Sequence, residues 1–122
     1  KGQKISLRVG GNFDTQNCQP IELQGVPLRL VENFGLYATT LVLFRTEEFD
    51  LILSSKHIGF TDLEPFHALG IDPLAQDVIV VKLGYLTPEL QSIAAKSCLA
   101  LTRGCTDEVL QRLPYSHPHD LI

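Results

Sequence analysis

What is scarce in these residues excludes more than what is abundant. Cysteine occurs three times, as Cys18, Cys98 and Cys105. The odd number, and the lack of any C-x-x-C pair, leave no basis for a closed disulfide framework or a structural zinc knuckle. They point to a reducing compartment, and cytoplasmic localisation is the expectation. No apolar run approaches the ~20 residues of a membrane-crossing helix. The first residues carry no signal-peptide pattern either, so no membrane partner is expected. Positive charge is also short: 10 Lys and Arg against 14 Asp and Glu give a net charge of −4. That balance argues against nonspecific nucleic-acid binding, and no nucleic-acid partner is expected. The strong catalytic signatures are missing as well: no H-E-x-x-H, no Ser-His-Asp set, no G-x-G-x-x-G loop.

What is present suits a folded domain. A chain of 122 residues buries roughly two thirds of its unfolded surface without covalent staples. Its 44% apolar and 20% charged residues argue against disorder. No repeat, low-complexity segment or linker divides it, and one domain over 1–122 is expected.

The first half reads as strands. Ile5, Leu7 and Val9 alternate with Ser6 and Arg8, the period of a half-buried strand. Gly10-Gly11 ends that run, and Ile21 and Leu23 open the next. Gly25 and Pro27 are expected to interrupt it before residues 28–31. Residues 39–44 (TTLVLF) and 49–54 (FDLILS) are β-rich and joined by a short acidic segment, which suits a hairpin.

The second half changes period. Thr61-x-x-Glu64 predicts a capping box opening a short helix over 63–69, stopped by Gly70. Residues 78–81 (VIVV) read as a strand covered on both faces. Thr87-Pro88 predicts a helix to about Ala95, residues 99–101 a short strand, and 108–113 a last helix stopped by Pro114. The fold class expected is α+β: a β-rich N-terminal half, then helix–strand–helix–strand–helix, on a mixed sheet.

Candidate chemistry is sparse. Gly10-Gly11 reads as turn glycines of positive φ rather than a phosphate cradle. Cys98, in an apolar stretch, is expected to be buried. Cys105 follows Gly104 at a turn without a neighbouring histidine to activate it. His67 is expected to be partly buried beside Leu63. His117 and His119 could offer two imidazoles, too few for a catalytic metal. Each carboxylate has a structural explanation through capping or solvation. Lys82 stands at the expected C-terminal end of a central strand, near a helix start, where ligands gather in α/β layers. Either it meets a ligand or another domain there, or its stem lies along the sheet with the ammonium in water. Ser55, Lys56 and His57 close another strand and either line a shared cleft or form a solvated loop.

The second half also resembles a known family. Residues 70–73 (GIDP), 78–86 (VIVVKLGYL), 88–90 (PEL), 100–107 (ALTRGCTD) and 112–115 (RLPY) look like the C-terminal domain of the microcystinase C (MlrC) family. Gly10-Gly11-x-x-Asp14, Pro27 and residues 52–56 (ILSSK) fit more loosely. The resemblance implies a metal-dependent hydrolase or peptidase several times longer than this chain. Its larger N-terminal domain would carry the zinc ligands and catalysis, and that domain is absent here. No catalytic residue, no metal ligand and no bound cofactor is therefore expected in this chain. Lys82, Ser55, Lys56 and His57 are the substrate-cleft or interdomain candidates. The partner implied is the N-terminal domain of the same polypeptide, with a homodimer also open. Relatives follow the lysine with a serine and a His-Phe-Arg motif, where this chain has 83–89 (LGYLTPE). Their arginine- and proline-rich tail is likewise replaced by 116–120 (SHPHD), which marks a sub-branch. A free-standing module for an anionic ligand or a protein partner is the alternative function, and a small hydrolase using Cys105 or the tail histidines is a third.

Overall fold

The computed structural model describes residues 2–12, 14–103 and 109–112. They fall into two compact units: Lys1–Leu7 with Glu22–Ser97, and Arg8–Ile21 with the described residues from Cys98 onward. The strands are β1 (Ile5–Val9), β2 (Ile21–Phe34), β3 (Thr39–Arg45) and β4 (Asp50–Ser54). They form one four-stranded sheet in the order β1-β2-β3-β4. The β2–β3 and β3–β4 pairs are antiparallel. Two short helices follow, α1 (Glu64–Ala68) and α2 (Pro88–Ile93), with 3₁₀ turns at Pro73–Ala75 and Leu110–Arg112.

In the first unit, β3 organises the core because its alternation is apolar on both sides. Thr39, Leu41 and Leu43 face one way, and Thr40, Val42 and Phe44 the other. Leu41, Leu43 and Leu69 are buried together, with Val31, Phe34, Ile52, Ile58, Phe60 and Ile71 packed around them. Phe44 is fully buried on the opposite face, over Gly25 of β2. A Cβ on Gly25 would lie 2.8 Å from the Phe44 ring and collide with the Arg45 carbonyl, so only glycine lets these strands close. β2 is therefore a single strand rather than the interrupted pair expected from Gly25 and Pro27. Register shifts between Pro27 and Arg29, and between Val31 and Phe34, absorb the missing proline N–H.

Thr46 closes the β3–β4 hairpin. Its hydroxyl accepts from Phe49 N at 3.0 Å and from Glu48 N at 3.2 Å, and donates to Phe49 O at 2.8 Å. The Arg45 guanidinium grips both Asp50 oxygens at 2.7 Å. Helix α1 is pinned by buried Phe66, whose ring meets Phe60 edge-on at 5.9 Å. It ends as Gly70 predicts: at φ +72° the glycine donates to His67 O at 2.9 Å, and Ile71 donates to Phe66 O at 2.9 Å. That is a Schellman stop. The capping box does not form, because Asp62 takes Glu64 N at 3.0 Å and Glu89 takes Leu63 N at 3.1 Å.

The expected order of the second half is not seen. Residues 78–81 and 99–101 form no strand, so no mixed sheet is assembled from them. The VIVV run is extended with one side half-buried, at Ile79 and Val81, while Val78 and Val80 are 79% and 90% exposed. An uninterrupted apolar run suits a strand covered on both faces, but in this unit only the side of Ile79 and Val81 is partly covered. His67 is exposed on α1 rather than partly buried. The last helix appears, among the described residues, only as the 3₁₀ turn.

In the second unit Gly10 and Gly11 have φ +77° and +71°, the turn geometry expected of them. Asp14 accepts from Asn17 N at 3.0 Å, and Cys18 N donates to Asp14 O at 3.0 Å. Arg112 donates to Leu101 O at 3.3 Å. Cys98 is exposed rather than buried, because the apolar stretch around it forms no strand that could cover it. Cys105, His117 and His119 lie outside the described residues. No helix among the described residues is long and apolar enough to cross a membrane.

Candidate functional site

The Ser55–His57 segment leaves β4 at the end where β3 begins. Thr39, fully buried at that point, takes Lys56 N at 3.2 Å and shares a 3.2 Å hydroxyl bond with Ser55. The Ser55 hydroxyl also accepts from Thr40 N at 2.9 Å, and Ser55 N donates to Thr40 O at 3.0 Å. Ser55 is thus engaged in fixing the strand end. The Lys56 ammonium donates to the Tyr37 carbonyl, which ties the segment to the β2–β3 turn. His57 is exposed, with no hydrogen-bond partner among the described residues. Neither Thr39 nor Tyr37 stands out in the sequence; the Thr39-Thr40 pair at a strand start is the only hint of the clamp.

Lys82 is exposed on the irregular stretch that follows the VIVV run, so it does not close a central strand as expected. The stretch is nevertheless held in place. The Leu83 side chain lies 3.8 Å from where a Cβ on Gly59 would stand, two residues beyond His57. The Thr87 hydroxyl donates to the Thr61 carbonyl, and Leu63 N donates to the Glu89 carboxylate at 3.1 Å. Segment 83–89 is therefore stapled along segment 59–63, and Lys82 and His57 sit on neighbouring stretches of one unit. No hydrogen bond or ion pair joins the four candidate side chains to one another among the described residues. Thr87 heads α2 but its hydroxyl makes no cap bond, because it is committed to the staple. Glu89, legible in sequence only as an acidic helix start, is the residue that sequence reasoning undervalued.

Around Lys82 the surface is apolar. Val78, Val80 and Lys82 alternate outward along the chain, and Tyr85 beyond them is 73% exposed. A cation at the end of an open apolar strip suits a surface meant to be covered. The shifted ionisations lie elsewhere, at the far end of the β3–β4 hairpin. There Asp50 is held below the ordinary carboxylate range by its hydrogen bonds from Arg45. Glu47 is lowered likewise by Lys4, which donates to it at 2.8 Å. Both are structural ion pairs with no acid or base partner for chemistry.

The described residues do not fit a zinc site: they contain no group of three or more His, Cys, Asp or Glu placed to hold a metal. The arrangement offers an exposed ammonium at Lys82 beside an apolar strip, and a clamped polar turn at residues 55–57. The family model described as MlrC C-terminus matches residues 1–117. No curated protein and no solved structure matches the chain significantly.

Proposed function

Because the chain belongs to the MlrC C-terminus family, we propose that it is the accessory C-terminal domain of an MlrC-like metal-dependent hydrolase. In this reading it packs on the N-terminal catalytic domain and forms one wall of the substrate cleft. Zinc and the hydrolytic groups belong to that N-terminal domain, and no step of hydrolysis falls to residues of this chain. The observation that carries the reading is the open strip of Val78, Val80 and Tyr85 around Lys82. Apolar side chains so exposed lose most by facing water and gain most by meeting another protein surface. Lys82 would then bring an ammonium to the rim of the cleft, where it suits a substrate carboxylate. His57, on the neighbouring stretch, would line the same rim, with Ser55 and Lys56 holding the turn beneath it.

The test is Lys82→Ala in the full-length protein, assayed on a panel of linear peptides. The expected outcome is a fall in kcat/KM of about tenfold or more, the size of a lost charged hydrogen bond, with an unchanged Tm. Lys82→Arg should retain most of the activity. Wild-type kcat/KM in Lys82→Ala would remove the lysine from the cleft.

A further inference from the structure

Residues 78–82 have the form of a β-strand without a sheet. Exposure alternates residue by residue, with Val78, Val80 and Lys82 exposed and Ile79, Val81 and Leu83 half-buried. That is the two-residue period of an extended strand, and the β-branched side chains of VIVV favour it. The main chain is nonetheless unpaired. The turn before the segment is closed by Gln76 N donating to Pro73 O at 3.3 Å, and the turn after it by Leu83 N donating to Val81 O at 3.0 Å. Between these bonds the N–H groups of residues 78–82 have no hydrogen-bond partner among the described residues. Nor do the carbonyls of Val78, Ile79, Val80 and Lys82. Along an extended strand, successive residues direct N–H and C=O to opposite edges. The edge of Val78, Val80 and Lys82 is therefore wholly open, while Val81 O on the other edge is already engaged.

We propose that a β-strand of the N-terminal domain of the same polypeptide adds to this edge, pairing through the main chain with Val78, Val80 and Lys82. This pairing rests on the reading of the chain as a domain docked on that N-terminal partner, and gives the docking its main-chain form. The occupant follows from the chemistry of the strip. Covering Val78, Val80 and Tyr85 with apolar surface alone would bury the adjoining N–H and C=O groups unpaired, which is costly for each. A strand covers and pairs them together. The open edge is also continuous with the docking strip, since the same valines supply both. The family matched over residues 1–117 is that of a C-terminus, so the N-terminal part of such a polypeptide is the nearest source of a strand. The pattern disfavours a second copy. Edges paired about a two-fold axis run antiparallel, and antiparallel strands commonly keep one polar face, whereas VIVV is apolar on both. Pairing at Lys82 would fix its backbone at the seam and hold the ammonium at the rim of the cleft.

Hydrogen exchange of the full-length protein, resolved to single amides and run beside hydroxyl-radical footprinting of Val78, Val80 and Tyr85, tests the pairing. The amides of Val78, Val80 and Lys82 should exchange about a hundredfold or more slower than in unstructured chain, with no dependence on protein concentration. Val80→Pro removes one outward donor. It should release Val78 and Lys82 together with one run of amides in the N-terminal domain, while β3–β4 amides keep their protection. Freely exchanging amides in the wild-type protein would overturn the pairing. If the valine side chains are then shielded, the docking reading stands without a strand; if they are open, both fall. Protection that fades on dilution would give the edge to a second copy and overturn the proposal. So would a folded Val80→Pro protein that releases amides only within residues 1–117, or none.

Discussion

The exposed valines give the sharpest test of the docking surface. Threonine at both Val78 and Val80 keeps the β-branched shape, so the extended backbone is not disturbed. Each substitution removes a methyl group from a buried interface and forces a hydroxyl to be desolvated there, at about 1–2 kcal/mol. With Val78 and Val80 79% and 90% exposed, nearly all of that loss arises on docking and almost none within this chain. Urea titrations should therefore diverge with context. In this chain alone the double variant should shift stability by no more than about 0.5 kcal/mol, as ordinary surface changes do. In the full-length protein it should cost about 2–4 kcal/mol, which is at least thirtyfold in the docking equilibrium. Equal effects in the two contexts, both negligible or both large, would refute the reasoning. The first would mean the strip is never covered, and the second that it belongs to the fold of this chain.

Two further outcomes follow from hydrogen bonds. Glu89→Ala leaves Leu63 N without its acceptor and should destabilise the chain by about 1 kcal/mol, the usual value of a lost helix-end acceptor. Glu89→Gln keeps an acceptor and should recover part of that, measured by thermal denaturation. Asp50 and Glu47 ionise below their ordinary range because Arg45 and Lys4 hold the charged forms. The folded state binds fewer protons there than the unfolded chain. Their contribution should be complete above the ordinary carboxylate range of about 4 and should disappear as the pH falls through the lower folded values. Asp50→Asn should flatten that acid limb, and an unchanged limb would remove the pair from the account.

The first half was legible because its signals are local. Strict alternation in residues 5–9, the β-rich run 39–44 and a Thr-headed acidic loop favour strands and a hairpin without help from distant residues. Gly70 was legible for the same reason, since a left-handed helix stop is a property of one residue. Pro27 misled because a bulge can carry a proline through a strand, and nothing in the local sequence separates a bulge from a break. The VIVV run misled more deeply. Hydrophobicity marks side chains that gain from leaving water, but not whether a sheet of this chain receives them. Lys82 was singled out for a strand end that does not exist, yet the staple through Thr87 and Glu89 fixes the stretch that carries it. That staple could not be read locally, because its partners are 26 residues apart.

That separation also orders the assembly of the chain in time. The β3–β4 hairpin joins neighbours through one short loop and can form within microseconds of collapse. The bonds from Thr87 to Thr61 and from Glu89 to Leu63 must first close a long excursion, whose entropy cost comes due before any contact rewards it. The strip bearing Lys82 is therefore expected to settle after the hairpin. Breaking those two bonds would leave the β3–β4 pairing intact, since neither belongs to the sheet, so opening of the strip and loss of the sheet should be separable events.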